Sequence, residues 1–244
     1  MTPREMIDRR RSVRSYTGLP LSEEEKAFLL GTLQALPPLL PGLSFSTRML
    51  TRAEVHCRLP MLWLPPDILA VYAEGELMSL VNIGFRLGRL DLSLQAAGLG
   101  ACWLGLGRPR TKEESGEPPF AMMMAIGHPK DAPLRSGADA FNRHPLKRIA
   151  DLLDERLEPA RLAPSAVNGQ PWYFTHGEGC LHAFCTVSHS RLLHDMHSID
   201  VGIALGQLAE ASGERFAFWR EGEEPVLDGY QYIGSFTLLR LLFI

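Results

Sequence analysis

Residues 82–90 read Asn-Ile-Gly-Phe-Arg-Leu-Gly-Arg-Leu, and residues 200–208 read Asp-Val-Gly-Ile-Ala-Leu-Gly-Gln-Leu. Gly84, Leu87, Gly88 and Leu90 thus return as Gly202, Leu205, Gly206 and Leu208, at a constant offset of 118 residues. Around the first copy, Leu80, Ile83, Leu87, Leu90 and Leu94 recur at steps of three and four, which predicts a long helix over residues 75–97. It is apolar on most sides and is expected to be central. A glycine inside a helix costs roughly 1 kcal/mol relative to alanine. Two glycines per copy therefore call for a packing reason, the close approach of another backbone.

The repeat extends outward. Leu29-Leu30 with Leu39-x-Pro41 matches Leu152-Leu153 with Leu162-x-Pro164 at an offset of 123 residues, and Ile126-Gly127 answers Ile233-Gly234 at 107. The order is kept while the offset shrinks, as expected for two diverged copies of one unit with shorter loops in the second. The expected organisation is a first half over residues 1–146 and a second over residues 147–244, forming one compact unit. Ser22-x-x-Glu25 reads as a capping box opening a surface helix over residues 22–36, ended by Pro37, Pro38 and Pro41. Strands are expected at residues 68–73, 121–126, 173–175, 181–185 and 232–238. Without strict alternation of strand and helix the class is α+β, with mixed or antiparallel sheets flanked by helices.

The 244 residues, 45% of them hydrophobic, suffice for a sizeable core, and the net charge of −3 argues against an electrostatic hold on nucleic acid or anionic lipid. The basic residues are 21 Arg and 4 Lys, a bias that suits bidentate contacts to phosphate. Four cysteines at positions 57, 102, 180 and 185, with no Cys-x-x-Cys pair, fit a reducing cytoplasm. No apolar run approaches the roughly 18 residues of a membrane span, and the charged N-terminus predicts no export signal.

The halves differ in their polar motifs. Only the first carries Arg10-Arg11-Ser12-Val13-Arg14-Ser15-Tyr16, where Arg10 and Arg14 can share a side and Ser12 adds a hydroxyl, an anion clamp in one reading and a solvated basic face in the other. Only the second carries Pro164-Ser165-Ala166-Val167-Asn168-Gly169-Gln170-Pro171-Trp172. His189, His194 and His197 lack the spacing of a zinc site, so no metal is expected. Gly98-x-Gly100 is too short for a dinucleotide fingerprint, Met122-Met123-Met124 reads as a buried strand, and Cys102 and Trp172 read as core.

Taken together, Arg10-x-Ser12-x-Arg14-x-Tyr16, the Pro164 to Trp172 motif, Gly98-Leu-Gly-Ala-Cys-Trp-Leu-Gly105 and Ala125-Ile-Gly-His-Pro129 resemble the FMN-dependent nitroreductase family. In that family both polar motifs sit in every subunit of an intertwined homodimer, with each flavin at the interface. Here they lie in opposite halves, which is similar to the subset built as a single-chain pseudo-dimer. The resemblance implies that Arg10, with Arg11 beside it, holds the FMN phosphate, that Ser12 bonds the ribityl-phosphate region, and that Arg14 lies near the flavin N1/O2 edge. It implies that Leu104 and Gly105 bring backbone amides to N5 and O4, that Pro164 and Ser165 line the ring, and that Asn168 and Gln170 face the ribityl chain or the substrate. Arg143, in Asn142-Arg-His-Pro-Leu146, becomes a second phosphate ligand, whereas Phe141 stands where the family often has another basic residue. The function so implied is ping-pong transfer from NAD(P)H through FMN to a nitroaromatic, quinone or similar small acceptor, with no side-chain acid or base required; the alternative is a flavin-binding or storage protein without efficient turnover. One flavin per chain and a monomer are expected, because the second site has lost both motifs.

Overall fold

The computed structural model describes residues 1–57, 66–111, 113, 116–131, 134–220, 222 and 224–238. In the first half α1 (Glu23–Ala35) precedes β1 (Ser46–Thr51), β2 (Val55–Cys57), β3 (Asp67–Tyr72), α2 (Leu77–Ala96), β4 (Gly100–Trp103), β5 (Gly107–Pro109) and β6 (Phe120–Gly127). The second half carries α3 (Glu158–Leu162), β7 (Trp172–His176), β8 (Leu181–Thr186), α4 (Arg191–Ser212), β9 (Phe216–Trp219) and β10 (Tyr230–Leu238). The five strands expected from the sequence are β3, β6, β7, β8 and β10, each within two residues at either end.

Two four-stranded sheets result, in the orders β1-β3-β6-β4 and β7-β8-β10-β9. Each is two strands, a long helix and two more strands, arranged with the last strand inside the third. The topologies are the same. Every strand pairing in them is antiparallel. The parallel pairing among the described residues is an isolated bridge between Ala150 and Phe174. β3 is buried on both faces: Leu69 and Val71 enter the main core, while Ile68, Ala70 and Tyr72 pack with Leu50, Val55 and Met123 beneath the short β2–β5 ribbon.

Between the sheets α2 crosses α4, and the glycines of the repeat make the crossing. A methyl group on Gly84 would overlap the Ile199 carbonyl, and one on Gly202 would overlap the Val81 carbonyl. Gly88 likewise faces Ile203, and Gly206 faces Phe85. Shifted by 118 residues, each of these contacts becomes its counterpart, the self-complementary pattern of a two-fold interface. The cost of glycine in a helix is offset here by helix–helix contact at backbone distance.

Elsewhere the copies part. α1 has its capping box, Ser22 Oγ accepting from the Glu25 amide and Glu25 from the Ser22 amide. The aligned Leu152-Leu153 does not continue that resemblance, because both leucines are exposed in a turn and α3 has only five residues. The reason lies in Asp151 and Asp154. Their carboxylates accept the amides of Leu152, His176 and Arg156, satisfying the backbone locally rather than through a helix.

Candidate functional site

The basic segment is laid along the first sheet. Val13 donates its amide to the Ala101 carbonyl at 3.0 Å, Thr17 to that of His128 at 2.9 Å, and the Tyr16 hydroxyl closes onto the Val13 carbonyl at 2.9 Å. Gly100 is required beneath it, since a Cβ there would collide with the Val13 side chain. The start of the segment is fixed by α2: Gln95 accepts the Arg11 amide and donates to Asp91 at 2.6 Å, and Asp91 pairs with Arg10 at 3.1 Å. Arg10 and Asp91 are 2% and 1% exposed, an ion pair sealed in the interior. Burial pushes the Asp91 carboxyl up, against the pull of Arg10 and the hydrogen bond from Gln95.

In the second half, residues 164–170 form a strained turn. Val167, Asn168 and Gln170 have φ of +47°, +59° and +50°. For valine this is a rare conformation, and it persists only where surrounding bonds over-determine it. They do so here. Ser165 Oγ accepts the Gln170 amide at 2.9 Å, and both carboxyl oxygens of Asp200 lie 3.0–3.1 Å from the Ala166 amide. Asn168 Oδ1 accepts from Arg143, and Gln170 Oε1 accepts the His144 amide at 2.8 Å.

The two motifs meet across a cavity of about 440 Å³, within the 300–1,000 Å³ typical of cofactor and ligand sites. Ser12, Arg14, Leu80 and residues 102–106 form one wall; residues 164–167 with Arg191, Asp195, Met196, Ile199 and Asp200 form the other. Of the residues singled out from the sequence, Ser12, Arg14, Leu104, Gly105, Pro164 and Ser165 line this space. Cys102 also lines it while almost wholly buried, its thiol held above the usual range by burial despite nearby Arg14 and Arg10.

Arg10, Arg11, Arg143, Asn168 and Gln170 stand outside the lining. Arg10 is turned into its pair with Asp91. Asn168 and Gln170 face the 142–144 segment rather than the cavity, because the left-handed backbone carries their side chains to that side. Arg143 donates to the carbonyl of Ala163 at 2.9 Å, and burial, then the charges of Arg10, Arg135 and Arg161, bring its guanidinium down to about 10. These guanidinium groups stand behind the cavity wall, where Arg10 donates to Ser12 Oγ at 3.1 Å. Among the described residues no cluster of His, Cys, Asp and Glu could hold a metal. His197 bonds the Thr186 carbonyl instead.

Asp91, Gln95 and Asp200 were not evident as site residues from sequence. Asn82, which occupies in the repeat the place of Asp200, shows what the position does: its Oδ1 accepts the Leu39 amide at 2.9 Å. The structural task therefore needs only an amide oxygen. The acid at position 200 is pushed well above the ordinary carboxylate range by burial, against the lowering effect of the Ala166 amide. A raised carboxyl contributes stability that is complete below the unfolded value near 3.9 and is lost as pH rises toward the folded value. Asp200→Asn is accordingly expected to raise the melting temperature at pH 8 and to match the wild type near pH 3.5. Parallel thermal melts at the two pH values check this; a gain of equal size at both would exclude the acid as its origin.

The architecture is that of the nitroreductase-like proteins, α+β with helices between antiparallel sheets. A family model described as "Putative TM nitroreductase" matches residues 4–212, and the chain belongs to that family. A "putative nitroreductase" of Thermotoga maritima shares the fold at a TM-score of 0.63 and 21% identity, over 97% of this chain and 92% of that one. A nitroreductase family protein of Clostridium difficile is similar at TM-score 0.49 and 14% identity, over 61% of this chain and 96% of its own. An FMN-dependent nitroreductase of the same species gives 0.39 and 15%, over 50% and 84%. No curated protein matches the chain. No described helix is long and apolar enough to cross a membrane.

Proposed function

We propose that the chain is an FMN-dependent NAD(P)H oxidoreductase of nitroreductase type, with one flavin site formed between its halves. The observation that carries this reading is that one cavity is walled by the Ser12–Arg14 segment on one side and the Pro164–Ser165 turn on the other, with Arg10 donating to Ser12 Oγ at 3.1 Å and Arg143 to the Ala163 carbonyl behind those walls. The residues present fit the cofactor. A flat ring suits a slot between apolar walls such as Leu80, Trp103 and Ile199, and Gly105, itself without a Cβ, has the flexible Met196 methyl in the place where one would stand. A phosphate suits the edge where Arg10 and Arg143 stand behind Ser12 and Pro164. Bound there, FMN would supply hydride transfer between NAD(P)H and an acceptor such as a quinone or nitroaromatic. The chain's own part is to hold Arg14 at the cavity wall as a cation, and to shield the site from water with Trp103, Phe120 and Met196.

The counterpart of the cavity-lining Ile203 is an aromatic residue packed into a stack. Phe85, the counterpart of Ile203, stacks on Phe216 of β9 at 6.0 Å, and Phe216 on Phe236 at 5.9 Å. We read the two halves, residues 1–146 and 147–244, as an internal pseudo-dimer that works as a monomer with one live site. Purified protein is expected to carry one FMN per chain and to bleach rapidly with NADH or NADPH under anaerobic conditions. A ratio near two would refute the single site. Bound flavin reduced only by dithionite would refute the enzyme.

A further inference from the structure

Phe141 departs from the pattern of basic residues implied by the resemblance, and the structure puts something on top of it. The Arg135 guanidinium lies 4.4 Å from the centre of the Phe141 ring, and that of Arg143 lies 5.5 Å from the same ring. The loop bearing Arg135 is tied to the basic segment, its amide donating to the Arg9 carbonyl at 2.7 Å. Its Nη1 donates to the Ala140 carbonyl at 2.7 Å, while its Nε is buried without a hydrogen-bond partner among the described residues.

Charge accounting separates four neighbouring arginines into two kinds. Arg10 is neutralised by Asp91, and Arg161 by a two-pronged pair with Glu158. Arg135 and Arg143 have carbonyl and amide oxygens as acceptors and, among the described residues, no carboxylate. Burial lowers the affinity of Arg135 for its proton, and Arg10 and Arg11 lower it further. Two guanidinium groups on one aromatic ring, with no carboxylate between them, form an arrangement that a dianion relieves.

We propose that Arg135 is a phosphate ligand of the bound flavin mononucleotide, reaching in from the 134–140 loop to replace the cation missing at position 141. Phe141 is its platform, because a ring face orients a guanidinium plane without consuming its hydrogen-bond donors. The inference rests on the flavin reading above, and a comparison of FMN with riboflavin, which lacks the phosphate, separates the two. Apoprotein is titrated with each flavin by fluorescence quenching, in wild type, Arg135→Gln, Arg143→Ala and the double variant Arg135→Gln/Phe141→Arg. Arg135→Gln is expected to weaken FMN binding about ten- to a hundred-fold, the worth of one charge-assisted hydrogen bond. Riboflavin binding should be unchanged, and Phe141→Arg should restore part of the loss. If the glutamine variant fails to fold, Arg135→Lys serves the same comparison, with an intermediate ratio expected. A wild-type preference for FMN in Arg135→Gln or Arg135→Lys, alongside its collapse in Arg143→Ala, overturns the role of Arg135 and leaves the flavin site standing. Wild-type protein that binds neither flavin overturns both.

Discussion

Gly202→Ala is expected to cost about 3 kcal/mol or more, and Gly84→Ala a similar amount, because a single methyl at either position meets a main-chain carbonyl of the opposing helix. A side chain in the way could rotate aside; a carbonyl committed to its own helix cannot. The two long helices would have to separate along a seam that also carries Gly88 against Ile203 and Gly206 against Phe85. The natural control is Gly31→Ala on α1, where a methyl group meets nothing within 4 Å and helix propensity predicts a gain of roughly 0.5–1 kcal/mol. Urea denaturation of the three variants gives the comparison. A stability for Gly202→Ala within about 1 kcal/mol of wild type would mean that the helices are further apart than their glycines require.

Asp91→Leu ranks next in expected effect. Removing one partner of an ion pair this deeply buried leaves the Arg10 guanidinium without a counter-charge, a loss of about 3–5 kcal/mol. It also strands Gln95, whose amide donates to Asp91 while its oxygen holds the Arg11 amide, so the entry of the basic segment should loosen. Arg10→Met combined with Asp91→Leu is expected to recover most of the stability, since apolar side chains of similar volume replace such pairs at little net cost. If the double variant is no more stable than Asp91→Leu alone, the pair is not the source of the effect.

The fold was legible in the sequence where the pattern was periodic. Repeated glycines and leucines at 82–90 and 200–208 announced the helix crossing, and the strands at β3, β6, β7, β8 and β10 followed from their apolar composition. The short strands β1, β2, β4, β5 and β9 were not legible. β4, Gly-Ala-Cys-Trp, has one strong strand former and is held by pairing with β6 and by the Val13 segment laid over it, both contacts distant in sequence. Of the candidate site, the two motifs that the cavity brings together were legible, each needing a partner. What escaped were polar residues inside helical patterns: Asp91 and Gln95 interrupt the apolar stripe of α2, and Asp200 begins a repeat in which its counterpart is Asn82. Only the positions of the Arg11 and Ala166 amides, set by tertiary structure, reveal why they are there. Arg135 was likewise hidden, because nothing local connects it to a ring six residues later.

The reciprocal seam between α2 and α4 has a genetic corollary. In a homodimer every substitution appears on both faces of the two-fold axis, so a change that improves one site is imposed on the other. With both faces encoded at separate positions of one chain, position 82 can be an amide while position 200 is an acid, and position 85 can be phenylalanine while position 203 stays isoleucine. On the function proposed above, one side is free to become a binding site while the other becomes its support.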